Sequence, residues 1–266
     1  MPGVGSFLAL NAQIYREKTP RMNPENATLL LFCLGAVAFL YASVGHGGAS
    51  GYLAVLALFG AAPELMKSSA LMLNLVVSMV SFLNFYRGGH FVWRKFWPFA
   101  VASVPMAFVG AGIPLSAGLY KQLLGACLLL AIARMLWRPR TTEAEPREVP
   151  LPAALLTGAL IGLLSGMLGI GGGILLSPVL LLMHWARLKE TAAISALFIF
   201  VNSLSGLSKL LLKGYTPDSQ TLTWLAVALA GGLLGGYVGA RRFNVPTLRY
   251  ALATGLFIAT LKLMLT

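Results

Sequence analysis

Hydrophobic positions in this chain come in long unbroken runs, not in the short beats of a fold built against water. Apolar segments cover residues 27–44, 68–86, 96–115, 119–137, 153–169, 191–212, 221–240 and 246–265. Each is close to the roughly 20 apolar residues that a helix needs to cross the hydrocarbon of a bilayer. The alternation of a membrane strand is absent, and in lipid every backbone polar group must be paired within its own segment, so the pattern predicts helices. Two further apolar pieces, 50–61 and 174–185, are only 12 residues long and reach partway across.

The polar positions reveal a repeat. No Asp, Glu, Lys or Arg occurs in the 38 residues between Glu25 and Glu64, nor in the 38 between Glu148 and Arg187. Near the middle of each stretch lies a glycine cluster: Gly45, His46, Gly47 and Gly48 in the first, and Gly169, Ile170, Gly171, Gly172 and Gly173 in the second. The two superpose at an offset of 124 residues, and each continues into a polar-dotted helix, a basic turn and two more apolar runs. A continuous helix of 38 residues would be about 57 Å long, nearly twice the hydrocarbon thickness, so each stretch is expected to break at its glycines. The expectation is an all-α polytopic membrane protein of two homologous helical repeats, each with a glycine-broken or re-entrant helix. Residues 1–26 form an N-terminal arm, 27–137 the first repeat, 138–150 a polar linker and 151–266 the second repeat. Parallel and inverted repeats both fit the distribution of Lys and Arg. Inverted repeats are expected, because a carrier can then exchange its two states by swapping the conformations of its halves.

Composition agrees with a lipid-embedded chain: 58% of the 266 residues are hydrophobic and 11% charged, against about 25% charged in ordinary soluble domains. The net charge of +12 sits at segment ends and in short loops. That is the orientation signal of a multi-pass protein, not a nucleic-acid surface. All eight acidic residues lie in loops or at segment edges, so no carboxylate cluster for a hard cation and no buried acidic proton path is expected. Cys33 and Cys127 fall inside apolar runs and read as small buried hydrophobes. No metal or cofactor is called for.

What remains favours an anion. Helices starting near Ala49 and Gly173 would present unpaired N–H groups, which attract anions without a charged side chain, and glycine lets a ligand approach the backbone. Glycines in membrane helices also serve close packing, but paired clusters at the centres of overlong stretches fit exposed backbone better. His46 reads either as a hydrogen-bonded core residue or as a proton-handling group inside the break. Lys67 either faces an anion or snorkels to the interface. Ser68 and Ser69 after the first short piece, and Thr191 and Asn202 after the second, can donate hydrogen bonds to an oxyanion. Thr191 stands opposite Lys67 at the repeat offset, so the halves are not chemically equivalent. Gly162, Ser165 and Gly166 do not form a nucleophile elbow, and no phosphate-binding loop is present, so hydrolysis and ATP-driven pumping are disfavoured.

Read together, VGHGGASGYLAVLALFG and LGIGGGILLSPVLLLMHW, each followed by a polar helix, resemble the TauE/SafE family of sulfite exporters, also called the toluene sulfonate uptake permease family. The likeness runs from about residue 26 to 266 and includes Ser177 with Pro178 and the basic turn from Arg87 to Trp93; His46, Ala49 and Gly51 depart from it. The resemblance implies a secondary carrier in a bacterial or archaeal inner membrane. Its cargo would be a sulfur oxyanion or sulfonate such as sulfite, thiosulfate or sulfoacetate. A passive anion channel and a membrane-embedded enzyme are the alternatives, and proton coupling would rest on His46 or on the substrate itself.

Overall fold

The computed structural model describes residues 24–43, 48–136, 146–217, 219–242, 254, 256–258 and 260–265. Among these residues every regular element is a helix: α1 (Pro24–Ser43), α2 (Ala49–Leu58), α3 (Pro63–Arg87), α4 (Trp93–Gly112), α5 (Ala117–Leu136), α6 (Leu151–Leu168), α7 (Gly173–Leu182), α8 (Leu188–Leu212) and α9 (Ser219–Arg242). A further apolar helical stretch covers Leu256–Leu265. Four stretches, Glu25–Ala42, Pro63–Arg87, Leu151–Leu168 and Leu188–Leu212, are long and apolar enough to cross a membrane.

Helices of matching length recur at the spacing expected from the charge-free stretches. The short helices α2 and α7 have 10 residues each and the helices after them, α3 and α8, have 25. Both short helices start where the glycines predict, at Ala49 and Gly173, and both end three residues earlier than the apolar runs suggest. The reason is a second pair of turns: Gly60 and His184, 124 residues apart, both adopt positive φ, at 72° and 55°.

The halves interlock. Gly158, Gly162 and Gly166 of α6 lie against the backbone of Phe99, Ser103 and Ala107 of α4, four-residue steps on both helices running in the same direction. Gly231 and Gly235 of α9 meet Gly35 and Phe39 of α1 in the same way. Each contact joins the fourth helix of one half to the first helix of the other. Glycine suits it because, with no solvent to drive helices together, close backbone approach supplies the attraction.

Directions follow from cross-helix contacts. Helices α4 and α8 run together: Lys95 Nζ meets Glu190 Oε2 at 2.7 Å at one end, Ser205 Oγ donates to Val104 O at 2.6 Å, and Lys213 Nζ donates to Gly112 O at 2.6 Å at the other. The equivalent helices α3 and α8 run oppositely, since Leu71 sits beside Gly206 while Asn74 and Ser203 flank one glycine, Gly171. Each half opens with a hairpin. Tyr41 and Ser50 share a hydrogen bond of 2.6 Å between α1 and α2. In the second hairpin the Arg147 N–H donates to His184 O at 2.7 Å, tying the end of α7 back to the approach to α6.

Candidate functional site

The residues that lead into the two short helices have matching backbone geometry. Gly48 precedes α2 with φ 79°, ψ −4°, and Gly172 precedes α7 with φ 78°, ψ −17°. This left-handed conformation costs an ordinary residue about 1–2 kcal/mol and glycine almost nothing. Neither helix receives a side-chain cap, so their first N–H groups depend on partners from elsewhere. Gly45, His46 and Gly47 lie outside the described residues.

The second break is enclosed by the middles of α3 and α8. Gly169 ends α6 in the left-handed region, and its carbonyl accepts a hydrogen bond from Asn74 Nδ2 at 3.3 Å. A Cβ on Gly171 would meet Ile199 Cγ2 at 2.7 Å and both Asn74 Nδ2 and Ser203 Oγ at 3.1 Å; one on Gly172 would meet Phe198 Cε1 at 2.8 Å. Gly173 lies against Ile199 and the Ser195 carbonyl. Tyr120 donates from α5 to Leu168 O at 3.0 Å, and Ser177 bonds both Gly173 O and Ser195 Oγ at 2.8 Å. The carbonyls on either side of the break are thereby taken up.

Several polar atoms around this centre are buried and without a partner: Asn74 Oδ1, Ser78 Oγ, Asn202 Oδ1 and Ser203 Oγ. More than nine buried polar groups in ten are paired in folded proteins, so these atoms call for a partner such as a water, an ion or a ligand.

Of the residues singled out by sequence, Lys67 is brought to the break. Its carbonyl and Cα stand 2.9 and 3.0 Å from where a Cβ of Gly169 would be, and its Nζ donates to Ala111 O at 3.0 Å. Asn202 lies one residue from Ser203 and donates to Phe198 O of its own helix at 2.8 Å. Ser68 turns its hydroxyl to Glu64 O at 2.9 Å, whereas Ser69 is buried with its hydroxyl unpartnered. Thr191 is also buried and unpartnered, but it stands near the N-terminal end of α8. Because α3 and α8 run oppositely, that places it at the other end of the bundle from Lys67, and the structure does not bring the two together. Asn74 and Ser203 are the residues sequence reasoning passed over. Their types were legible in the polar helices, but their level at the break depends on the antiparallel register of α3 and α8.

Lys67 is the one charged side chain among the described residues that is buried. Lys95 and Glu190, about one-fifth exposed, form an ion pair between the halves, and the Arg187 N–H also donates to Glu190 Oε2 at 3.1 Å. Among the described residues no group of three or more His, Cys, Asp or Glu could hold a metal, and both cysteines are free.

Residues 29–263 match the family described as Sulfite exporter TauE/SafE. The probable membrane transporter protein y4hK of Sinorhizobium fredii is 36% identical over 232 residues, covering 86% of this chain and 94% of that protein. The probable membrane transporter protein MamO of Magnetospirillum gryphiswaldense is 30% identical over 137 residues, 50% of this chain and 21% of MamO. A probable membrane transporter protein of the archaeon Methanocaldococcus jannaschii is 28% identical over 116 residues, 44% of this chain and 43% of that protein. No solved structure matches the chain.

Proposed function

The chain belongs to the Sulfite exporter TauE/SafE family and is a multi-pass membrane transporter, and from that premise we propose that it is a secondary carrier of small sulfur-containing anions working by alternating access. Sulfite, thiosulfate, sulfoacetate and other organosulfonates are the cargo this reading admits. The observation that carries it is the second break. There a helix with uncapped N–H groups begins at Gly173, after Gly172, beside the Nδ2 amide of Asn74 and the unpaired hydroxyl of Ser203 from opposite halves. N–H groups, amides and hydroxyls are the donors an oxyanion needs, and placing them between two halves makes ligand binding sensitive to how the halves sit.

The antiparallel course of the equivalent helices α3 and α8 supports inverted repeats, and the two hairpins opening the halves support re-entrant elements meeting from opposite faces. Ile199 and Phe198 crowd the glycines, which favours a carrier that opens by rearrangement over a pore held open. The absence of a buried carboxylate among the described residues leaves proton coupling to His46 or to the anion.

The test is flux in proteoliposomes containing the purified chain. Sulfite or a sulfonate should accumulate against its own gradient when a proton gradient is imposed. Movement that only ever runs down the substrate gradient would replace the carrier with a channel, and no movement of any sulfur anion would remove the reading.

A further inference from the structure

We propose that the second break also binds a sodium ion, held by neutral oxygens of Asn74 and Ser203 with Ser78 and Asn202 at neighbouring positions, and that this ion binds together with the anion. The proposal rests on the transport reading above and adds a second solute to the same site.

An anion cannot use every polar atom at the break. Asn74 turns Nδ2 to Gly169 O at 3.3 Å, and Asn202 turns Nδ2 to Phe198 O at 2.8 Å. A carbonyl only accepts, so each amide is fixed with its nitrogen toward that carbonyl and its Oδ1 turned away. Both Oδ1 atoms are buried and unpaired, as are the hydroxyls of Ser78 and Ser203. An amide oxygen has no proton to give and repels an oxyanion; it is satisfied by a donor or by a cation.

These groups come from both halves. Asn74 Nδ2 and Ser203 Oγ each lie 3.1 Å from where a Cβ of Gly171 would be, so the two side chains flank one point. Ser78 follows Asn74 by one helical turn, and Asn202 precedes Ser203. Gly169 brings the C-terminal end of α6, the negative end of a helix dipole, to the same place. In carriers built from broken helices, such ends hold sodium while the N-terminus of the following piece faces the anion. The ammonium of Lys67 is directed elsewhere, to Ala111 O at 3.0 Å at the end of α4.

The donor set selects the ion. Calcium and magnesium are drawn to carboxylates, and zinc to imidazole and thiolate, yet among the described residues no group of three or more His, Cys, Asp or Glu could hold a metal. Neutral amide and hydroxyl oxygens suit a monovalent hard cation. Crowding favours sodium over the larger potassium, since Ile199 Cγ2 stands only 2.7 Å from a Cβ built on Gly171. Ser203 can turn its oxygen to the cation while donating its proton to the anion. A sodium ion also offsets charge on a sulfur anion, single or double, as it enters a low-dielectric centre.

Sulfite flux is measured in proteoliposomes of the full chain under one fixed proton gradient, with sodium, potassium or choline chloride at equal concentration on both sides. Half-saturating sulfite should be at least about tenfold lower in sodium than in either other salt, and saturable binding of radioactive sodium to the purified chain should tighten by the same factor when sulfite is added. Ser203→Ala deletes one unpaired oxygen with little change of shape, and should weaken sodium binding measured without sulfite by about tenfold. Unchanged sodium binding in a folded Ser203→Ala chain takes the ion away from the second break and overturns the assignment. Half-saturating sulfite that is the same in all three salts, read on the wild-type chain alone, overturns this inference and leaves the carrier standing. No flux of any sulfur anion in any salt overturns the carrier; saturable sodium binding to the same chain would then still uphold the ion site, and its lack would overturn that too.

Discussion

Replacing Gly171 by alanine adds one methyl group to the second break, and the structure supplies its own control. Gly171 has φ 70°, and an added Cβ would lie 2.7 Å from Ile199 Cγ2, about 1 Å inside ordinary carbon contact. Gly60 has nearly the same backbone, φ 72°, but nothing within 4 Å of an added Cβ. Gly60→Ala should therefore incur only the left-handed penalty, about 1–2 kcal/mol. Gly171→Ala should add overpacking of about 1–3 kcal/mol. At about 2–4 °C per kcal/mol for a chain of this size, Gly171→Ala should melt about 2–12 °C below Gly60→Ala. Thermal unfolding in detergent, followed by fluorescence-detected size exclusion, measures the gap, and sulfite flux in proteoliposomes measures the function. Flux should survive Gly60→Ala and collapse in Gly171→Ala. Equal melting temperatures and equal flux for the two variants would refute the picture of a break closed by Ile199, Asn74 and Ser203.

Gly162→Leu should separate α6 from α4, because its side chain would point into the Ser103 backbone, and yield of folded protein should fall sharply; Gly118→Leu, where an added Cβ has no neighbour within 4 Å, should change stability by no more than about 0.5 kcal/mol. For topology, Arg87→Cys and Leu212→Cys occupy the last positions of the equivalent helices α3 and α8, both exposed. In a background lacking Cys33 and Cys127, an impermeant maleimide should label the two from opposite sides of the membrane, and labelling from one side alone would establish parallel repeats.

Much of the architecture was legible in the linear pattern because burial in lipid is a local demand. A segment must be apolar and helical on its own account, so long apolar runs announce α3, α6 and α8, and paired charge-free stretches too long for one helix announce breaks at Gly48 and Gly172. The starts of α2 and α7 could be read for the same reason: glycine is the residue that tolerates the left-handed turn preceding each. The ends of those helices could not, since His184 takes a conformation that Gly60 advertises and histidine does not.

Which polar residues gather at the break was a different kind of question. Lys67, Ser69, Asn74, Thr191, Asn202 and Ser203 look alike along the chain, as polar positions on helices of equal length. Only the tertiary arrangement ranks them. The opposed directions of α3 and α8 bring Asn74 to Ser203 and Gly171, and carry Thr191 away from Lys67. The glycine stripe of α6 likewise acquired its meaning from α4, whose backbone occupies the space that side chains would need. Solvent chooses the elements one segment at a time, whereas a site is made of residues far apart in sequence, whose meeting depends on how helices cross, in which direction and at what register.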